Sequence, residues 1–287
     1  MTVLEVIQRG AEFLAKRGVD SPRLQVELLL AHRLKIPRLK LYLDFERPLS
    51  EADVTALREM VAQRGERVPL QHIVGTACFY GLDFQVGREV LVPRPETELL
   101  VEKAVAWLNQ RAALRSEPLA VLDVGTGSGC IAITVAKQCP QVAVQAVDIS
   151  ASALSLAGSN ASRIGVAERI TFHESDGLTA LPAGLRFDLV LSNPPYIPTG
   201  EIEGLDPEVR EHDPRLALDG GTDGLTFYRR LASELGAVLQ PEGCVMLELG
   251  DGQSPSVAQI FVEQKWVVEA IYPDYSAQPR VLVAKRG

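Results

Sequence analysis

The second part of the chain alternates strand-like and helix-like segments, and this alternation restricts the possible folds more than any other feature. From Leu119 onward, segments of helical character separate the apolar runs LAVLDVG, VAVQAVD, RITFHES, FDLVLSN and GCVMLELG. Such alternation is typical of a parallel sheet covered by helices on both faces. The last two runs, WVVEAIYPD and RVLVAKR, are joined by a link too short for a helical crossover. We therefore predict an α/β fold whose seven-stranded sheet is mostly parallel, with one antiparallel edge strand.

The first 70 residues show helical periodicity instead. Val3, Ile7 and Leu14 fall on one face of a helix. From Pro69 the pattern changes to short β-type runs separated by glycines, which indicates a hairpin. The chain is also long enough for two domains. The predicted parts are a small helical domain at 1–70, a β-hairpin linker at 71–92 and a catalytic domain at 93–287.

Charge is distributed unevenly between the first 75 residues and the rest of the chain. Residues 1–75 contain 12 basic and 10 acidic residues, whereas the remainder contains 17 and 27, for a net charge of −8. Proteins that bind long nucleic acids usually carry a basic stripe. The acidic second part therefore argues against DNA or bulk RNA as the substrate, and no stable nucleic-acid partner is expected.

Other features argue against a membrane, disulfide or metal protein. No apolar stretch approaches the roughly 20 residues that span a bilayer. The N-terminal segment mixes acids and bases along a helical period, unlike a signal peptide. The four cysteines form no CxxC pair, and the histidines lack the spacing of metal ligands. We expect a cytoplasmic protein without a metal site.

A glycine-rich turn follows the first strand of the alternating part. It reads DVGTGSGC, in which Asp123 precedes a run made of Gly125, Thr126, Gly127, Ser128 and Gly129. Glycines let the backbone approach a ligand, and N–H groups at a helix start attract a carboxylate or phosphate. The GxGxG spacing is tighter than the dinucleotide fingerprint GxGxxG. Asp123, two residues before the first glycine, is an acid at a position where the amino group of a ligand can be held. A methionine moiety fits these features; a tight structural turn is the alternative.

Two further acidic residues end the next two strands. Asp148 ends the second strand, where an acid can accept both hydroxyl groups of a ribose. Asp176 ends the third, where it can meet an adenine amino group. For each acid alone, a solvated strand end is the alternative. In register with the glycine loop they favour S-adenosylmethionine as the ligand.

The fourth strand ends in the motif Asn193-Pro194-Pro195-Tyr196, near the point where ligands of open α/β sheets bind. The prolines lack N–H groups and restrain the residues before them to extended conformations. The side-chain oxygen of Asn193 and the carbonyl of Pro194 can therefore face one NH₂ group together. Tyr196 offers a flat face for a planar amide or base. This pattern indicates methyl transfer to a planar nitrogen, because two acceptors orient the amine and concentrate charge on its nitrogen.

These motifs resemble those of class I, S-adenosylmethionine-dependent methyltransferases that act on planar nitrogens. Two longer stretches narrow the resemblance to the HemK/PrmC family, the peptide chain release factor N5-glutamine methyltransferases. They are PLQHIVGTACFYGLDFQVGREVLVPRPETELL (Pro69–Leu100) and EHDPRLALDGGTDGLTFYRRL (Glu211–Leu231). With the helical N-terminal part, the resemblance covers nearly the whole chain. It implies a Rossmann-like methyltransferase sheet and a release factor as protein substrate.

The resemblance also implies particular residue roles. Gly125 to Gly129 would hold the methionine part of the cofactor, Asp148 its ribose, and Asp176 and Gly177 its adenine. Asn193 would contact cofactor and substrate, and Asn193 to Tyr196 would bind the glutamine amide of the release factor's Gly-Gly-Gln loop. The residues implied at the entrance are Arg94, Glu96 and Glu98. Relatives often carry an aromatic residue where this chain has Gly177, which leaves the cover of the adenine ring open.

The leading hypothesis is a monomeric enzyme that methylates the release-factor glutamine at its side-chain nitrogen. One alternative is an N-methyltransferase for another planar amine, either a ribosomal-protein glutamine or an exocyclic amine of rRNA or DNA. Another is a non-enzymatic interaction module that retains the fold without activity. The intact glycine loop and the Asn-Pro-Pro-Tyr motif argue against the last reading.

Overall fold

The structure is a computed structural model that describes residues 1–115 and 117–287. The chain divides into two compact units. The first comprises Met1–Thr76 and Asp206–His212, and the second comprises Ala77–Leu205 and Asp213–Gly287. Among the described residues, neither unit contains a helix long and apolar enough to cross a membrane.

The first unit is helical, as the periodicity of its sequence predicts. Its main helices are α1 (Val3–Ala15), α2 (Pro22–Leu34), α3 (Arg38–Leu41), α4 (Glu51–Gly65) and α5 (Leu70–Val74). Thr2 and Glu5 form a reciprocal capping box at the start of α1. Ile7, Leu29 and Leu57 from three of these helices lie in one buried core. The apolar face of α1 therefore packs inward.

The return of the chain into this unit at Asp206–His212 has no counterpart in the predicted boundaries. It is held by Glu208, whose carboxylate accepts hydrogen bonds from Arg64 at 2.8 Å and from Arg67 at 2.7 Å. The two arginines outweigh the effect of burial and hold the pKa of Glu208 below its usual value. Because these partners are 141 residues or more apart in sequence, no local pattern announces the pairing.

The second unit contains the sheet. A separate two-stranded hairpin comes before it in the chain and consists of β1 (Thr76–Phe79) and β2 (Leu82–Gln85). The strands of the seven-stranded sheet are β3 (Leu119–Val124), β4 (Val142–Asp148), β5 (Ile170–Glu174), β6 (Phe187–Ser192), β7 (Leu239–Glu248), β8 (Trp266–Pro273) and β9 (Pro279–Arg286). The remaining helices are α6 (Thr97–Ala112), α7 (Cys130–Gln138), α8 (Ala151–Ile164), α9 (Pro207–Arg210, which belongs to the first unit), α10 (Arg215–Leu218), α11 (Thr226–Glu234) and α12 (Ser254–Glu263).

The strand order is β5-β4-β3-β6-β7-β9-β8. Strands β3 to β7 pair in parallel, whereas β9 pairs antiparallel with both β7 and β8. The predicted mostly parallel seven-stranded sheet with an antiparallel edge is therefore confirmed. The single reversed strand, β9, lies second from that edge.

Helices cover both faces of the sheet, and alternate residues of each strand point to opposite faces. Val121 of β3 joins a core with residues of α6, α7 and α8, whereas Leu122 joins a second core with residues of α11 and α12. Burial on both sides explains why the strand sequences are continuously apolar rather than alternating.

The register of the central strands places the functional motifs at one edge. Val147, Val124, Ser192 and Leu247 are neighbours across β4, β3, β6 and β7. The next residue of each strand or turn is Asp148, Gly125, Asn193 or Glu248. These four residues therefore form a row at the carboxyl edge, at the switch point where ligands of open α/β sheets bind.

Candidate functional site

A cavity opens at this carboxyl edge within the second unit. It brings together most of the residues predicted to bind cofactor or substrate, namely Arg94, Gly125, Thr126, Gly127, Ser128, Asp148, Asp176, Gly177, Asn193, Pro194 and Pro195. The predicted site residues outside this lining are Glu96, Glu98, Gly129 and Tyr196.

The glycine loop needs glycine for two different reasons. Gly125, Gly127 and Gly129 have φ angles of +74°, +53° and +80°, a region that favours glycine. A Cβ atom on Gly125 or Gly127 would meet open space, whereas one on Gly129 would lie 2.6 Å from Ile133. The first two glycines thus leave the backbone accessible from the cavity, and the third lets the N-terminus of α7 pack closely.

Asp123 supports this loop from beneath rather than lining the cavity. Its Oδ2 accepts hydrogen bonds from the Thr126 hydroxyl at 2.7 Å and from the Ala132 backbone at 3.2 Å. Its other oxygen is buried and has no partner among the described residues. Burial raises the pKa of Asp123 to about 7. The sequence analysis predicts that this acid holds the amino group of a ligand, whereas in the structure its Oδ2 is bonded to residues of the loop and of α7.

Asp148 lies at the cavity surface, as the strand register requires. Its two oxygens accept from the backbone N–H groups of Gly127 at 2.8 Å and Ser150 at 2.9 Å. These bonds fix the carboxylate beside the glycine loop. Each oxygen keeps a further lone pair for a ligand hydroxyl group.

Asp176 and Gly177 are covered by Arg230, a residue that the sequence analysis did not identify. Arg230 forms an ion pair with the Asp176 carboxylate and donates to the Asp176 backbone carbonyl at 2.7 Å. Gly177 has a φ of +60°, and a Cβ atom there would lie 2.6 Å from the Arg230 guanidinium. The guanidinium therefore occupies the space that a larger side chain at Gly177 would need. Arg230 also pairs with Glu234 at 2.9 Å, one helical turn away on α11. This local pair is visible in the sequence, but it does not indicate the contact of Arg230 with Asp176.

Asn193 begins a chain of side-chain hydrogen bonds that passes through Thr97, which also lines the cavity, and ends at Glu248, which does not. Its Nδ2 donates to Thr97 Oγ1 at 3.1 Å, and the Thr97 hydroxyl donates to Glu248 Oε2 at 2.6 Å. Thr97 and Glu248 are 2% and 1% exposed. Burial raises the pKa of Glu248 to about 7. Neither residue was predicted, although Glu248 ends its strand as Asp148 does and the same rule would have found it.

Pro194 and Pro195 line the cavity, whereas Tyr196 is absent from the lining and packs against the second core. The Tyr196 hydroxyl is 3.5 Å from Glu248 Oε1, and burial raises the pKa of this tyrosine. Its backbone carbonyl accepts from Gln253 at 2.8 Å. Tyr196 is thus held in the second core, and its orientation supports the turn more directly than it offers a stacking face.

The three predicted entrance residues have separate environments. Arg94 lines the cavity and pairs with buried Asp213 at 2.5 Å. Glu96 is exposed at the start of α6. Glu98 accepts a hydrogen bond from the Tyr80 backbone at 2.7 Å and so holds the hairpin turn rather than the entrance.

Two family models match separate parts of the chain. The family model described as "PrmC N-terminal domain" matches residues 5–75, and "Methyltransferase small domain" matches residues 100–204. A release factor glutamine methyltransferase from Geobacter sulfurreducens is 46% identical over 91% of this chain and 88% of its own length. One from Nitratidesulfovibrio vulgaris is 38% identical over 100% of this chain and 96% of its own length.

A solved methyltransferase from Pyrococcus furiosus resembles the chain in structure, with a TM-score of 0.53 and 20% identity. The match covers 73% of this chain and 91% of that one. At this level of identity the likeness concerns the fold. It is the fold of class I methyltransferases, in agreement with the sheet described above.

Proposed function

Because the chain belongs to the release factor glutamine methyltransferase family, we propose that it methylates the side-chain amide nitrogen (N5) of the glutamine in the Gly-Gly-Gln motif of peptide chain release factors. The methyl donor of this family is S-adenosylmethionine. The observation that carries the proposal is the position of Asn193, which lies beside the glycine loop and donates its Nδ2 to Thr97. That bond leaves the amide oxygen available to a substrate NH₂ group.

The residues of the cavity fit the cofactor. The open faces of Gly125 and Gly127 can accept the methionine part against the backbone, and Asp148 keeps lone pairs for the ribose hydroxyl groups. Asp176, Gly177 and Arg230 form the adjoining wall, which we assign to the adenine. When bound, S-adenosylmethionine would supply the methyl group to the amide nitrogen, and the carbon–sulfur bond would break with its electron pair left on the sulfur.

The chain's own contribution is to orient that nitrogen. An amide nitrogen is a poor nucleophile because its lone pair is delocalised. The Asn193 side-chain oxygen and the Pro194 carbonyl together accept hydrogen bonds from both N–H groups of the substrate amide. These bonds fix the amide nitrogen in place and stabilise the positive charge that develops on it. Since Pro194 and Pro195 have no N–H group, neither of them donates a hydrogen bond that would compete with the substrate. One amide proton leaves to solvent once the new carbon–nitrogen bond has formed.

We assign substrate recognition to the helical domain at 1–70, the linker to the hairpin segment 71–92 and catalysis to 93–287. The proposed enzyme acts as a monomer on a protein, without a stable nucleic-acid or membrane partner. A protein substrate is consistent with the acidic second part of the chain, because strong attraction to phosphates would need a basic surface. Its place of action is the cytoplasm, where release factors meet ribosomes.

Incubation of the purified chain with a release factor and methyl-labelled S-adenosylmethionine tests this function. Label is expected on the Gly-Gly-Gln glutamine, and a release factor with that glutamine replaced by glutamate should remain unlabelled. Asn193→Ala should lower kcat about a hundredfold to a thousandfold, since it removes one acceptor for the reacting group. Labelling of rRNA, DNA or a ribosomal protein in place of the release factor would reject the proposal.

A further inference from the structure

Glu248 is a buried carboxyl group beside the site that the proposed chemistry does not use directly. It lies next to Asn193 in the row of strand ends but is absent from the cavity lining. A carboxyl group at 1% exposure is unfavourable unless its hydrogen bonds compensate for lost water. Its shortest bond, at 2.6 Å, is the one from Thr97. A contribution made through Thr97 would explain why an acid is present here.

The Thr97 hydroxyl determines which end of the Asn193 amide can face it. A hydroxyl group has one hydrogen to donate, and Thr97 donates it to Glu248. Towards Asn193 it can therefore only accept, and Nδ2 meets this need at 3.1 Å. Among the described residues, Asn193 Oδ1 has no hydrogen-bond partner. The oxygen and the NH₂ group point in different directions from the amide carbon, so the oxygen is left for a ligand in the cavity that Asn193 lines.

We propose that Thr97 and Glu248 are positioning residues that fix the direction of the Asn193 amide, so that its oxygen rather than its nitrogen meets the substrate NH₂ group. This inference rests on the proposed function and deepens it. A flipped amide would place its oxygen against the lone pairs of Thr97 and its NH₂ group against the NH₂ group of the substrate. The flip therefore loses one hydrogen bond on each side of Asn193.

The fixed direction requires Glu248 in its ionised form. A protonated Glu248 can donate to Thr97, whose own hydrogen is then free to attract the Asn193 oxygen away from the substrate. Burial raises the pKa of Glu248 to about 7, opposed by the Thr97 bond and Arg280 and reinforced by Glu96. Among the described residues, the polar and titratable groups that interact with Glu248 are Glu96, Thr97, Cys130, Tyr196, Tyr228 and Arg280. We therefore expect the amide direction to follow the titration of this one carboxyl group.

Nuclear magnetic resonance of the Asn193 side chain tests this without an assay of activity. The NH₂ resonances of Asn193, identified by their loss in Asn193→Ala, should shift with an apparent pKa near 7 in the wild-type protein. Thr97→Ser keeps the hydroxyl group and should keep the shift, whereas Thr97→Val and Glu248→Gln should abolish it. Thr134→Val is the matched control, because Thr134 is equally buried and its hydroxyl has no partner among the described residues.

Kinetics with the release factor provide the second measurement. At saturating S-adenosylmethionine, Thr97→Val is expected to lower kcat roughly tenfold to a hundredfold, as loss of an outer hydrogen bond commonly does. Thr97→Ser and Thr134→Val should stay within about twofold of wild type. In the Asn193→Ala background the Thr97→Val change should add little, because its effect passes through Asn193. Saturation separates this effect from Asp123, which titrates in the same range beneath the cofactor loop.

The two measurements distinguish failure of this inference from failure of the proposed function. Asn193 resonances that do not move with pH, or a Thr97→Val variant as active as wild type, would overturn the positioning role. If the resonances titrate as expected but the release factor is not methylated, the positioning role stands and the substrate assignment fails. If the release factor is methylated while the resonances stay constant, the substrate assignment stands and the positioning role fails.

Discussion

Replacing Glu248 by glutamine is expected to stabilise the second unit above neutral pH. In the native protein the pKa of Glu248 is raised to about 7, whereas the pKa of an unperturbed glutamate is 4.5. Between these values the native state binds more protons than the unfolded state, so the free energy of unfolding falls as the pH rises. At pH values below both pKa values the burial of Glu248 does not lower the free energy of unfolding, and at pH values above both the lowering is complete.

The size of this effect follows from the two pKa values. Their difference, from 4.5 to about 7, corresponds to about 3 kcal/mol at about 1.4 kcal/mol per pH unit. Glutamine keeps an oxygen that can accept from Thr97 but has no charge to bury. The wild-type protein should therefore lose about 3 kcal/mol more than Glu248→Gln between about pH 4.5 and about pH 8.5.

Urea unfolding monitored by tryptophan fluorescence measures this difference. Both tryptophans of the chain, Trp107 and Trp266, lie in the second unit and so report on the unit that contains Glu248. Asp123 titrates in the same range, but it is present in both proteins and cancels in the comparison. Thr134→Val serves as a control that should keep the wild-type pH slope. Equal slopes for wild type and Glu248→Gln would refute the reasoning.

Two further predictions concern buried groups outside the catalytic row. Asn160→Ala should lower the free energy of unfolding by about 2–4 kcal/mol in urea titrations. The side-chain amide of Asn160 is fully buried and forms hydrogen bonds with backbone groups of both the hairpin and the glycine loop, which the substitution would leave without partners. An unchanged unfolding midpoint would contradict that role. Glu208→Ala should leave the largely buried Arg64 short of a partner and speed hydrogen exchange in α4 roughly tenfold or more. Glu211→Ala is the matched control in the same segment, and equal exchange in both variants would show that the ion pair does not hold the segment.

The carboxyl edge of the sheet could be predicted from sequence because it depends on local patterns and one topological rule. Apolar runs of strand length identified β3, β4 and β6, and the residue after each run identified Gly125, Asp148 and Asn193. Parallel strands bring their carboxyl ends to the same edge, so these residues had to meet. The register then places them side by side.

The residues that the sequence did not reveal act across long distances in the chain. Thr97 and Glu248 are 151 residues apart, and Arg230 reaches Asp176 from 54 residues away. Helical periodicity presents Thr97 as one more position near the start of α6, and its partner is defined only when the sheet is assembled. The entrance role assigned to Glu98 illustrates the same limit, because its contact with Tyr80 depends on how the hairpin turns.

The energetics of Glu248 connect the stability of the second unit to its chemistry. If burial of this carboxylate destabilises the native state by about 3 kcal/mol at high pH, an uncharged residue would be selected unless the charge contributed something else. The contribution available to it is the hydrogen bond that makes Thr97 an acceptor towards Asn193. Glutamine can bond to Thr97 through either its oxygen or its nitrogen, so it gives stability without enforcing one direction. The Glu248→Gln variant should therefore be more stable than the wild-type protein at high pH and should also lose the fixed orientation of the Asn193 amide. A gain of stability with a loss of function is expected when a buried charge is retained for the function of a site.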